Sequence, residues 1–228
     1  MEKKLVLTNG TKKYKLKNET ITAMDNVNLE IDMGKLYVIM GHSGSGKSTL
    51  IQMLGLLDSL TSGKLYINGD EISNISEDKK AELRKKEIGF VFQSFYLNPK
   101  LTALENVMLP MYINEKIKSS DRREIAEKLL EKLGLENRKT HYPKELSGGE
   151  QQRIAIARAL ANNPNYILAD EPTGNLDSEN EKNVYRILKE LTKEGKAVVI
   201  VSHNENIKQY ADEIFYMEAG KLRKGLWK

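Results

Sequence analysis

At 228 residues the chain has room for one large α/β domain, or one domain with a subdomain, and requires no separate multidomain architecture. Its 36 Lys and Arg against 32 Asp and Glu leave a formal net charge of +4 with the signs interspersed, so no basic stripe marks nucleic acid as a main partner. Cysteine is absent, which excludes disulfides and thiol catalysis.

The opening MEKKLVLTNG lacks the apolar core of a signal peptide. The purest apolar runs, at 36–40 and 197–201, fall far short of the roughly 18 residues of a membrane span, so a soluble polypeptide is expected. Residues 5–8 and 21–31 have strand character, the second with Val27, Leu29 and Ile31 alternating against polar neighbours, and together they predict an antiparallel sheet. Tyr14 lies between them, where it is either an ordinary cross-strand tyrosine or an aromatic that stacks on a nucleotide base.

Residues 35–40 form a strand-type run, and 49–57 continue at helical spacing. Between them Gly41, His42, Ser43, Gly44, Ser45, Gly46, Lys47, Ser48 and Thr49 fit G-x-x-x-x-G-K-[ST] without a gap, the pattern of a phosphate-binding loop. Its glycines let the backbone approach an anion, and the first amides of the helix have no internal partner and face it. Lys47 is placed to reach β- and γ-phosphates, and Ser48 to offer its hydroxyl to Mg²⁺. The plain alternative is a Gly/Ser turn with a surface lysine.

Further on, 63–72 carries an Asn68-Gly69 hairpin signal, 77–86 a short charged helix, and 88–92 a buried strand ending on Gln93. From 94 to about 160 the texture turns helical. Residues 101–112 are apolar on one side, and 121–133 carry Ile125, Leu129 and Leu133 at helical spacing before Gly134. A helical insertion into the α/β core is predicted there. Ser147 and Glu150 have the spacing of a capping box, and Gly148 and Gly149 are poor formers for a first helical turn, so a close approach to that backbone is expected.

A short strand at 165–169 then delivers Asp170 and Glu171 before Pro172 stops it. After a phosphate loop, such a pair divides the work: Asp170 for Mg²⁺ through its water shell, and Glu171 for the water that attacks the γ-phosphate. The alternative is a turn-capping acid pair. Asp177 precedes a helix at 179–193, and the last buried strand, 197–201, ends at Ser202 and His203. His203 is either structural or in touch with ligand. A short helix, an edge hairpin around Ala219-Gly220 and a basic tail at 221–228 with Trp227 complete the chain.

Taken together, GHSGSGKST, Gln93, LSGGEQQR, YILADEP, NLD and His203 resemble the ATP-binding-cassette ATPases over nearly the whole chain, with LSGGEQQR the most specific element. The resemblance implies an α/β fold of the P-loop NTPase, ABC-ATPase type with an N-terminal antiparallel β-subdomain and an inserted helical subdomain. It divides a single domain, 1–228, into a core at 1–93 and 161–228 and a helical subdomain at 94–160. It further implies that Tyr14 stacks on adenine, that Gln93 senses Mg²⁺ and the attacking water, and that His203 contacts the γ-phosphate. Ser147, Gly148 and Gly149 would close on the nucleotide of a second copy, and Asp177 would sit at the interface. The implied cofactors are ATP and Mg²⁺.

The FVFQSFYLNPKLTALENVMLP and ADEPTGNLD stretches resemble the MacB/LolD/FtsE group, including Gram-positive peptide and antibiotic efflux systems. That likeness implies a homodimer with ATP and a separate permease with a large extracellular domain. It also allows a membrane-fusion-type accessory protein, a place on the cytoplasmic face of the membrane, and export of an antibiotic or antimicrobial peptide. A lipoprotein-releasing or FtsE-like signalling ATPase is the alternative. Phe95, Tyr96, Leu97, Leu101 and Leu104 are either the docking patch for the permease or the insertion's own core. Two positions depart from the family pattern: Asn204 follows His203 where aspartate is common, and His42 replaces a proline or small residue.

Overall fold

The structure is a computed structural model that describes residues 3–17 and 19–225; the end of the basic tail, with Trp227, lies outside the described residues. The chain opens with β1 (Lys4–Lys15) and β2 (Thr20–Asp32), then β3 (Leu36–Met40), α1 (Lys47–Leu54), β4 (Ser62–Ile67) and β5 (Asp70–Glu71). It continues through α2 (Glu77–Glu87), β6 (Ile88–Phe92), α3 (Ala103–Met108), α4 (Arg122–Lys132) and α5 (Gly148–Leu160). Last come β7 (Tyr166–Asp170), α6 (Ser178–Lys193), β8 (Ala197–Ser202), β9 (Glu213–Glu218) and β10 (Lys221–Lys224).

Two sheets result. The first is antiparallel in the order β2-β1-β4-β5. The second runs β10-β9-β3-β8-β7-β6, parallel throughout except for β10 at its edge. Every residue of β3 and β8 is buried, and the pleat splits each strand between two cores. Leu36, Val38, Val198 and Ile200 join the cluster built with α3 to α6, whereas Tyr37, Ile39, Val199 and Val201 join the one built with α1 and the antiparallel sheet. A strand covered on both faces has no polar side to show, which is why these segments read as unbroken apolar runs.

α1 lies between the two sheets. Its Leu50, Ile51, Met53 and Leu54 share one cluster with Leu5, Leu7, Met24 and Leu29 of the antiparallel sheet and Ile39 of β3. A polar tie spans the same gap, where buried Tyr166 donates its hydroxyl to Oδ1 of Asn68 at 2.8 Å, and Asn68 and Asn165 both donate to Glu87. Asn68 can hold that position because it turns the β4–β5 hairpin with φ 53°, followed by Gly69 at φ 93°.

The first helix of the middle segment is shorter than the apolar pattern at 101–112 implied, whereas α4 fills nearly all of 121–133. Pro110 has no N–H to continue the helix, so α3 ends at Met108 and a 3₁₀ helix, Leu109–Ile113, takes over. A capping box between Thr102 and Glu105 starts α3, and the expected one between Ser147 and Glu150 starts α5. Leu104 is buried and Leu97 packs against the core, so those two members of the apolar cluster belong to the interior, while Tyr96 is 69% exposed.

Tyr166→Phe leaves Asn68 without its buried donor at no cost in volume. The variant should lose about 1–2 kcal/mol of stability, read from denaturant unfolding, with an unchanged dependence on denaturant concentration.

Candidate functional site

Parallel pairing brings the carboxyl ends of β3, β6, β7 and β8 to one edge, where α/β sheets hold their ligands. A cavity of about 840 Å³ opens there. From β3 it receives the loop 42–49, from β6 Gln93, from β7 Asp170 and Glu171, and from β8 His203.

The loop is shaped by backbone geometry that side chains other than hydrogen resist. Gly46, at φ 107°, caps α1, and a Cβ there would lie 2.2 Å from the carbonyl oxygen of Ala23. Only glycine lets β2 press against the loop. The ammonium of Lys47, 7% exposed, folds back to donate to the carbonyls of Gly41 at 2.7 Å and His42 at 2.9 Å. Burial pulls its pKa down, and the nearby charges of Glu171 and Asp170 partly restore it. A buried ammonium bonded to two neutral carbonyls, amid free helix-start amides, fits a polyanion.

Asp170 is pushed up by burial and by the like charge of Glu171, against the pull of Ser48, whose hydroxyl donates to it at 3.3 Å. A carboxylate disfavoured in this way gains from a cation. Among the described residues no cluster of three or more acids and histidines could hold a metal by itself. A cation here would therefore take the Asp170 carboxylate, the Ser48 hydroxyl, water and phosphate oxygens, the habit of Mg²⁺.

Glu171 sits at φ 46°, unusual for a residue with a side chain. Its N–H donates to Val201 O at 3.0 Å, and its carboxylate accepts from the Ser202 hydroxyl at 3.1 Å and the His203 N–H at 3.4 Å. Nδ1 of His203 stands 2.8 Å from the other carboxylate oxygen. The turn is thus held by the end of β8. Gln93 is exposed, and its amide lies against Gly174, where a Cβ would come within 2.6 Å of Nε2. Nδ2 of Asn175 donates to its carbonyl at 3.2 Å.

Gly41 and Ser45 shape the loop from behind without lining the cavity: Ser45 is buried, and a Cβ on Gly41 would meet the carbonyl of Met217 at 2.3 Å. Tyr14 does not line the cavity either. Its hydroxyl donates to Asp58 at 3.1 Å and meets Thr49, and Lys12 Nζ lies 4.9 Å from its ring centroid. Its cross-strand neighbour Ile21 lines the cavity instead, with Thr22 and Ala23.

Ser147, Gly148 and Gly149 are also apart from the cavity. Gly149 already has a close neighbour within the chain, because a Cβ would fall 1.9 Å from Oδ1 of Asn180. Asp177 fixes Asn180: it caps α6, accepting from the Asn180 N–H at 2.9 Å and Nδ2 at 2.7 Å. Gly148 has no comparable contact, its nearest being 3.5 Å, and Ser147 is exposed.

Two further residues tie this region together, and both come from α5. Gln152, fully buried, donates to the carbonyls of Phe92 at 3.3 Å and Pro172 at 2.5 Å, next to Gln93 and Glu171. Arg158 donates to Phe95 O at 2.7 Å and to Tyr96 O. Gln152 lies within LSGGEQQR, but the contacts of neither residue could be read from the sequence, since a buried Gln and a surface-type Arg look ordinary at helical spacing.

Residues 24–174 match the ABC transporter family. The chain belongs to that family. Among relatives of this ABC protein, the lipoprotein-releasing system ATP-binding protein LolD of Francisella tularensis is 44% identical over 215 residues, 94% of this chain and 93% of LolD. The macrolide export ATP-binding/permease protein MacB of Bdellovibrio bacteriovorus is 46% identical over 212 residues, 93% of this chain and 32% of MacB. The ATP-binding cassette MJ0796, solved as a dimer in a post-hydrolysis state with ADP and Pi, superposes with a TM-score of 0.89 at 44% identity, covering 98% of this chain and 99% of that one.

At the start of α5, burial would raise Glu150, but Arg138 Nε at 2.6 Å and the Ser147 N–H and hydroxyl bring it down to about 2. A lowered carboxylate pKa stabilises the fold above the unfolded value and is lost as pH falls through the folded one. Glu150→Gln should therefore cost about 1 kcal/mol at neutral pH, and the gap from wild type should close as pH falls from about 4.5 towards 2, measured by thermal unfolding across pH.

Proposed function

We propose that this ABC ATPase works as a head-to-tail homodimer on the cytoplasmic face of a membrane, driving a separate permease that exports an antibiotic or antimicrobial peptide. The observation that carries the dimer is the separation within one chain of two anion-seeking helix starts. The start of α1 lines the cavity, while that of α5, with exposed Ser147 and unobstructed Gly148, does not. A second copy brings its α5 to the first copy's cavity, with Asp177 beside the junction. The dimeric state of MJ0796 supports this arrangement.

Within each site Lys47 turns from its own carbonyls to the β- and γ-phosphates, and Tyr14, close to Thr49, offers its ring to the adenine. Ser48 and Asp170 hold Mg²⁺, with Gln93 reaching from β6. Mg²⁺ held there would supply positive charge against the phosphates. Glu171 accepts the proton of the attacking water, while His203, already hydrogen-bonded to it, keeps its carboxylate aimed and faces the γ-phosphate.

The permease has a fitting surface. A cavity of about 540 Å³ lies between α2, β6, the 3₁₀ helix and α5, with Phe90, Phe92, Pro110 and Ile113 as its apolar lining and Arg84 and Lys85 beside them. Tyr96, Tyr112 and Ile113 are exposed around it, a concentration of apolar surface that marks an interface. Arg158 holds the Tyr96 segment from below, so the surface is coupled to the strand that ends at Gln93. A large extracellular domain on the permease and a membrane-fusion-type accessory protein complete the proposed exporter. Release of lipoproteins is the second reading, favoured by the full-length match to LolD, with FtsE-like signalling a variant of it.

Glu171→Gln should keep nucleotide binding, lose at least about 100-fold in turnover, and accumulate as a dimer with ATP on a sizing column. A variant that hydrolyses ATP normally, or remains monomeric, removes Glu171 from this role. Ile113→Glu should release the protein from vesicles carrying its permease, with basal ATPase within about twofold of wild type. Transport assays in those vesicles, with antimicrobial peptide against lipoprotein as cargo, separate the two readings.

A further inference from the structure

His203 presents a ring whose side chain is 69% exposed, bonded to Glu171 and packed against little else, so its position depends on the backbone on either side of it. On one side Ser202 is fixed in β8. On the other, Asn204 starts a 3₁₀ helix, Glu205–Tyr210, as its N-cap, with Oδ1 accepting from the Asn206 N–H at 2.9 Å. The Asn204 N–H donates to the Ser202 hydroxyl at 3.1 Å, the same hydroxyl that donates to Glu171.

What anchors this turn is a carboxylate. Glu181, in the first turn of α6 and 7% exposed, accepts from Nδ2 of Asn204 at 2.5 Å through one oxygen and from Nδ2 of Asn206 at 2.9 Å through the other. Both are neutral amides, and among the described residues Glu181 has no ion-pair partner in Lys, Arg or His. Tyr185 stands one turn along α6, Glu171 and His203 lie towards the cavity, and Glu205 and Lys208 on the 3₁₀ helix pair with each other. A buried acid held by amides and by the start of its helix tolerates no second acid against it.

We propose that Glu181 and Asn204 are a matched pair of positioning residues that fix His203 at the nucleotide cavity, and that the carboxylate at 181 requires an amide at 204. An aspartate at 204 would still cap the 3₁₀ helix with one oxygen. Its other oxygen would stand where Nδ2 now meets Glu181, acceptor against acceptor, until the two share a proton. Exchanging the roles repairs the contact, because an amide placed at 181 would donate to the carboxylate placed at 204 and still accept from Asn206.

The pair rests on the chain's reading as an ATPase, and the test separates the two. Steady-state hydrolysis is measured for the wild type, Asn204→Asp and the double variant Glu181→Gln/Asn204→Asp. Asn204→Asp should lose about tenfold or more in kcat near pH 8, with the KM for ATP within about twofold. The deficit should shrink towards about pH 6, since the raised pKa of two facing carboxylates lets one take up a proton as pH falls. The double variant should return to within about threefold of wild type and lose the pH-dependent deficit.

The His203 ring resonances, assigned by their loss in His203→Gln, should shift in Asn204→Asp and return in the double variant. Wild-type turnover by Asn204→Asp with unmoved resonances, or a double variant no better than the single, overturns the pair. An inactive wild type instead overturns the ATPase reading, and the ring resonances still decide the pair. If Asn204→Asp does not fold, folding of the double variant supports the pair and failure of both overturns it.

Discussion

The structure turns on a lysine that is buried without an acid in contact. Lys47 is nearly inaccessible, and its charge rests on two carbonyls of its own loop. Such an arrangement costs desolvation energy unless negative charge arrives, and two negative groups, Asp170 and Glu171, remain close enough to be felt without closing on it. The loop's glycines, the pressure of β2 on Gly46 and the placement of α1 between two sheets all serve to keep that ammonium and the amides around it in place.

The acids opposite are restrained by neighbouring strands. Asp170 ends β7 in register with Phe92 and Val201, and the next residue leaves the strand in a left-handed conformation that few side chains adopt. Glu171 stays there because its backbone N–H and its carboxylate are both engaged by the end of β8. Strain at one strand end is offset by hydrogen bonds from the next. The carboxylate's aim therefore depends on Ser202, His203 and the turn behind them, which hangs on Glu181.

α5 connects the rest. Its first turn follows exposed Ser147 with partly exposed Gly148 and buried Gly149, its second carries Gln152 to the carbonyls that flank the cavity, and its last holds Arg158 under the Phe95-Tyr96 segment. One rigid helix thus touches the surface remote from the cavity, the strand ends inside it and the apolar groove on the far side.

Local chemistry made much of this legible before folding. The phosphate loop, the strand that delivers Asp170 and Glu171, the Ser147–Glu150 capping box and the Asn68-Gly69 hairpin are each written in consecutive residues, where spacing, backbone freedom and periodicity leave few alternatives. Other features join residues far apart in the chain, and pattern does not disclose them. Ala23 against Gly46, Asn180 against Gly149, Gln152 between two strand ends and Glu181 beneath Asn204 became neighbours only when the parallel sheet set its order and register. Leu97 and Leu104 looked like Tyr96 in sequence, and the core took two and left the third outside. Side-chain type decided what each residue could do; strand order decided which of them met.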